Sequence, residues 1–121
     1  MNYTAKKMSK IIDEMTGFFL RMGADDIQME LRKLSEGFQL KITSNYLPGQ
    51  RERLEDLNRF LTVKEKDEGL EEFFWQVAGV SSSGSDSEIH LIGQMIDQAE
   101  VQIGERTVAV TLFKKFDHPR G

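Results

Sequence analysis

With 121 residues, 39% hydrophobic and 30% charged, the chain has the size and make-up of one soluble domain with its own core. It contains no cysteine, which excludes structural disulfides, thiol nucleophiles and thiolate metal sites. Sixteen basic residues against twenty acidic ones leave a net charge of -4, and the basic ones are scattered rather than striped, so no nucleic-acid partner is expected.

The first element is predicted to be a helix over about Tyr3 to Arg21. Met8, Ile11, Met15, Phe18 and Met22 recur at spacings of three and four, with Ile12 and Phe19 widening the stripe and Gly23 as its stop. The period then changes to two. Ile27, Met29 and Leu31 alternate with polar residues, as do Phe38, Leu40 and Ile42, and Leu34-Ser-Glu-Gly37 between them is the expected hairpin turn. Asn45-Tyr-Leu-Pro-Gly49 breaks the pattern, and Leu54, Leu57 and Leu61 then mark one side of a short helix beginning near Gln50.

Asp67-Glu-Gly69 precedes a further apolar-faced helix carrying Leu70, Phe73, Phe74 and Val77, with Trp75 off the stripe at a core edge or in an interface. From Gly79 to Ser87 the chain has five serines and two glycines, with Val80 its single apolar residue, and is expected to be a mobile loop. A helix follows with Ile89, Ile92, Met95, Ile96 and Ala99 facing inward and Asp86 or Ser87 as its N-cap. The chain closes with a strand at Val101 to Ile103, a Gly104-Glu105 turn, and a β-branched strand at Thr107 to Phe113 whose Val108, Val110 and Leu112 share one face.

This order predicts an α+β protein, a two-layer α/β sandwich. Its mostly antiparallel mixed sheet of about four strands would be covered on one face by helices. One domain is expected over residues 1–116, with 117–121 as a C-terminal tail. No stretch approaches the ~20 apolar residues of a spanning helix and no signal-peptide core is visible, so no membrane partner and a cytoplasmic location are expected. His90 and His118 lack a ligand-spaced neighbour, and no metal site is expected.

The succession of elements resembles a shortened, degenerate histidine-kinase-like ATPase fold, the group that includes sensor-kinase catalytic domains, anti-sigma-factor kinases and DNA gyrase B. The resemblance runs from about Ile11 to Lys114. The family's first helix carries a glutamate followed four residues later by a magnesium-holding asparagine; Glu14 matches the former, and Phe18 stands at the latter. The family's adenine-reading aspartate and its two following glycines correspond to Asn45, Leu47 and Gly49. Ser81 to Ser87, with Gly84 and Ser85, resembles the flexible lid and phosphate loop without its glycine-x-glycine signature, and Met95-Ile-Asp97 matches the end of the helix after it.

The resemblance implies that Glu14, Asn45, Gly49, Gly84 and Ser85 are the positions where ATP with Mg²⁺ would bind. Against that, Phe18 offers no metal ligand, and Asp86 and Glu88 put negative charge where a phosphate would sit. Without a phosphate beside it, Glu14 is expected to be a solvated carboxylate. No serine, histidine and aspartate set for nucleophilic catalysis is visible, and no catalytic residue is expected. Three readings stand. The first is a non-catalytic, pseudo-ATPase domain without cofactor, acting in bacterial or archaeal cytoplasmic signalling through a protein partner or as a homodimer. The others are an active ATP-binding ATPase or protein kinase, and an unrelated α+β protein. The aromatic run Phe73-Phe-Trp75 is a candidate contact surface under the first.

Overall fold

The computed structural model describes residues 4–62 and 86–116. The predicted aromatic helix over residues 70–77, the loop positions Gly84 and Ser85, and the C-terminal tail lie outside the described residues. The elements are α1 (Thr4–Arg21), β1 (Ile27–Lys33), β2 (Gly37–Asn45), α2 (Arg51–Leu61), α3 (Asp86–Met95), β3 (Gln98–Ile103) and β4 (Thr107–Lys115). The four strands form one sheet in the order β1-β2-β4-β3. Each neighbouring pair is antiparallel, so among the described residues the sheet is antiparallel throughout rather than mixed.

Helix α1 forms because its apolar residues recur at helical spacing, and it stops where the sequence supplies a residue tolerant of positive φ. Gly23 has φ +84°. Its N–H donates to the Leu20 carbonyl at 3.0 Å, and the Ala24 N–H donates to the Phe19 carbonyl at 3.1 Å. That pair of bonds is a Schellman end, which satisfies carbonyls that would otherwise be orphaned, with buried Ala24 beside buried Phe19 as its apolar contact.

The strands follow the two-residue period. Leu40, Ile42 and Ser44 of β2 and Val108, Val110 and Leu112 of β4 are buried. Lys41 and Thr43, between them, are exposed. The buried side meets Met8, Ile11, Met15, Phe18 and Phe19 of α1, Leu54, Leu57 and Leu61 of α2, and Ile89 and Ile92 of α3 in one cluster. Each fully buried leucine or isoleucine there contributes about 1.5–3 kcal/mol relative to exposure, so this two-layer contact is the main stabilising term. The other side of the sheet is uncovered among the described residues. It is polar, with Gln39, Lys41 and Thr43 next to Thr111, Glu100 and Gln102.

Two polar staples set the ends of the second hairpin. The Asp97 carboxylate accepts the Lys115 N–H at 2.7 Å, while the Asp97 N–H donates to the Phe113 carbonyl at 2.8 Å. At the other end the Tyr46 hydroxyl donates to the Gly104 carbonyl at 2.5 Å and lies 3.1 Å from that of Glu105. These bonds correct one boundary: Ala99, expected on the inward side of the preceding helix, is a half-buried residue of β3 instead. The helix ends at Met95 because Asp97 is bound to β4. Residue Phe116, expected as the start of the tail, packs edge to face on Phe38 with ring centroids 5.4 Å apart.

Candidate functional site

Glu14, Phe18 and Met22 lie at steps of four on α1 and so form one line down a single side of the helix. Glu14 begins that line. It is not a solvated carboxylate: it is 5% exposed, and its Oε1 lies 3.0 Å from the Nζ of Lys10, one turn earlier. The ammonium answers the buried charge, and its own side chain is still 19% exposed, so water shares in solvating the pair.

Phe18 comes one turn later and is buried in the core. Its ring meets Phe19 edge to face at 5.5 Å, and the guanidinium of Arg53, on α2, lies 5.6 Å from its centroid. A flat cation over an aromatic face is an attractive arrangement, and it covers the ring from the α2 side. Arg53 was not singled out from sequence, where nothing distinguishes it from Arg51 or Arg59.

The line ends at the turn after β2. The Leu47 N–H donates to the Met22 carbonyl at 3.3 Å. Asn45 reaches the connection between α1 and β1: its Oδ1 accepts the N–H groups of Asp25 and Asp26 at 3.0 and 3.2 Å, and its Nδ2 donates to the Asp25 carboxylate. Both ends of the Asn45 amide are therefore engaged, the oxygen by backbone 19 and 20 residues away and the nitrogen by the Asp25 side chain. Gly49 has φ +93° with nothing within 4 Å of where a Cβ would stand, so its requirement is conformational and not one of close approach. The Gln50 N–H then bonds the Leu47 carbonyl at 3.2 Å and leads into α2.

The structure thus places Asn45 beside the connection that follows α1, with Gly49 four residues on in the same turn, and Glu14 apart from both on α1. With a rise of about 1.5 Å per residue, Glu14 stands about 12 Å up the helix from Met22, and Phe18 occupies the interval. The fit to a nucleotide with Mg²⁺ is poor at each described position. The Glu14 carboxylate is paired with Lys10, Phe18 presents only carbon, and the Asn45 amide is spent on Asp25 and Asp26. Gly84 and Ser85 lie outside the described residues, and so do the side chains of Asp86, Ser87 and His90.

Among the described residues no group of three His, Cys, Asp or Glu side chains could hold a metal ion, and no helix is long and apolar enough to cross a membrane. Open depressions lie elsewhere, on the uncovered side of the sheet. One of about 480 Å³ is lined by Lys41, Thr43, Glu100, Gln102 and Thr111 among others. It is open and mixed in character, with Ile42, Ala109 and Val110 also in its lining, and it does not enclose a small ligand. Comparison with protein-family models, with curated proteins and with solved structures finds no match.

Proposed function

We propose that this chain is a non-catalytic domain with the histidine-kinase-like ATPase order of elements, a regulatory module that works through protein contacts in place of nucleotide turnover. The order of α1, hairpin, α2, α3 and closing hairpin supports the architectural half of this reading. The observation that carries the functional half is the Asn45 amide. The residue at the adenine-reading position has both of its polar ends committed to the connection after α1. A ligand there would have to break those bonds, each with a net worth of about 0.5–1.5 kcal/mol. Phe18 and the Glu14–Lys10 pair act in the same direction, because neither supplies a free ligand for Mg²⁺.

The test is calorimetric titration of the full chain with Mg-ATP and with Mg-ADP. No binding heat is expected with either. Micromolar binding that disappears in Glu14→Ala and Asn45→Ala chains, both checked for folding by circular dichroism, would overturn the reading and favour an active ATPase or kinase.

A further inference from the structure

From the edge strand β1 we infer that the protein partner is a second copy of this chain. The two copies would be joined by antiparallel pairing of β1 with its symmetry mate in the register that sets Leu31 opposite Leu31, so that two four-stranded sheets become one of eight. The inference rests on the reading that the domain works through protein contacts, and it names the contact.

Among the described residues β1 has a single strand neighbour, β2. The bonds that close that pairing fix which backbone groups are free. Leu34 N–H donates to the Gly37 carbonyl at 2.7 Å, and Asn45 N–H donates to the Asp26 carbonyl at 3.3 Å. Even-numbered residues therefore bond inward to β2, and Met29, Leu31 and Lys33 turn their N–H and C=O groups outward. A strand edge of this kind is a template for another strand.

The side chains select one register. Glu30 and Arg32 share the open side of the sheet, with Arg32 Nε 2.9 Å from Glu30 Oε1 and both side chains more than half exposed. With the two-fold axis at Glu30 or at Arg32, like charges face each other, an axis at Lys33 opposes two ammonium groups, and an axis at Met29 sets Glu30 opposite Gln28 and leaves Arg32 without an acidic partner within the strand. An axis at Leu31 sets Glu30 opposite Arg32 twice, at the close, non-hydrogen-bonded positions of the ladder, where side chains interact most strongly. The same register makes Leu31 a hydrogen-bonded pair with its mate, as its outward backbone groups require.

The opposite side of the strand carries the apolar part of the seam. There Leu31, 46% exposed, is a large hydrophobic side chain left open to water. Helix α1 lies over this edge, since the Thr16 hydroxyl lies 3.9 Å from the Met29 sulfur. The β3 edge has no such pattern. Its Glu100 meets either itself or an amide in an antiparallel self-pairing, and α2 packs beside it.

The test is sedimentation equilibrium of the full chain up to about 1 mM, with three variants. The parent is expected to dimerise with concentration. Glu30→Arg puts two positive charges opposite each other at both ends of the seam, and Arg32→Glu puts two negative ones there, so each variant alone should dimerise about tenfold more weakly. An equimolar mixture of the two variants restores opposite charges at both positions and should form a heterodimer at parental strength. The intrachain Glu30–Arg32 pair stays broken in that mixture, so only a contact between chains can produce the rescue. The double variant Glu30→Arg/Arg32→Glu should also dimerise as the parent does. A parent that is monomeric throughout, or a mixture that associates no better than its components, would overturn the inference and leave the nucleotide-free reading standing. Nucleotide binding by a chain that still dimerises would do the reverse.

Discussion

Gly93 in α3 gives the most direct test of the helix layer. A Cβ built there would stand 1.9 Å from the Phe60 carbonyl oxygen and 2.9 Å from its carbon. An acceptable carbon-to-oxygen contact is about 3.3 Å, so Gly93→Ala must push α3 away from α2 by more than 1 Å. Backbone is what it strikes, and backbone in a packed helix cannot swing aside as a side-chain end can. A gap of that size forfeits a quarter to a half of the dispersion energy at the contact of Ile89 and Ile92 with Leu57 and Leu61, and overpacking of this kind costs up to about 3 kcal/mol. Alanine in place of glycine inside a helix returns about 1 kcal/mol. The net expectation is a loss of about 2 kcal/mol, or about 8 °C in Tm for a domain of this length. Gly17→Ala is the control. Its Cβ meets only the Arg21 Nη1, at 3.0 Å, and the long arginine can move, so the helix gain should appear unopposed as a rise of up to about 4 °C. Thermal unfolding followed by circular dichroism at 222 nm reads both. A Gly93→Ala chain as stable as the parent, alongside the expected rise for Gly17→Ala, would refute the close helix crossing.

Asn45→Ala should cost about 0.5–1.5 kcal/mol in urea unfolding, because the Asp25 and Asp26 N–H groups exchange a fixed acceptor for water, and amide exchange at those two residues should accelerate while β4 is unchanged. Gly49→Ala should destabilise by about 1 kcal/mol through backbone conformation alone, since there is room for the methyl group. Gly49→Asn should cost less than alanine, because asparagine tolerates positive φ, and the same urea titration reads the difference.

The two-layer architecture was legible because periodicity reports which side of an element meets the core. The α1 stripe, the β2 and β4 alternation and the Gly23 stop are all local patterns, and the structure has them where the sequence puts them. What went unread depends on partners distant in sequence. The spacing Ile92, Met95, Ile96, Ala99 continues at three and four past the true end of α3, and no glycine or proline stands between Met95 and Ala99 to mark that end. The helix ends because Asp97 finds the Lys115 N–H, 18 residues on. Asn45 is the same case: an amide in a turn suits a ligand or a loop equally, and its bonds to Asp25 and Asp26 decide the matter only in three dimensions. Glu14 is different. Its partner Lys10 stands four residues earlier, a spacing that pairs charges on any helix, so this pairing is legible in the sequence itself. The aromatic run at Phe73 to Trp75, and Gly84 and Ser85, fall outside the described residues.

The position of Phe18 ties the proposed function to stability. A domain that binds nucleotide keeps a space for it and regains the stability lost to that space only when the ligand is present, by an amount that grows with ligand concentration over Kd. A domain that works without nucleotide has no such supplement and must be stable on its own contacts. Phe18 meets that requirement: its ring is buried against Phe19 and lies under the Arg53 guanidinium, so the interval between Glu14 and the Asn45 turn is filled by carbon that contributes about 1.5–3 kcal/mol of burial. Filling that space also fixes α1 against α2 regardless of ligand. A fixed α1 also holds its Thr16 turn against Met29 of β1, the strand proposed to meet a second copy. The substitution that removes a magnesium ligand in the proposed reading is therefore the same one that makes a permanent contact surface affordable in stability, and the two features would be gained together.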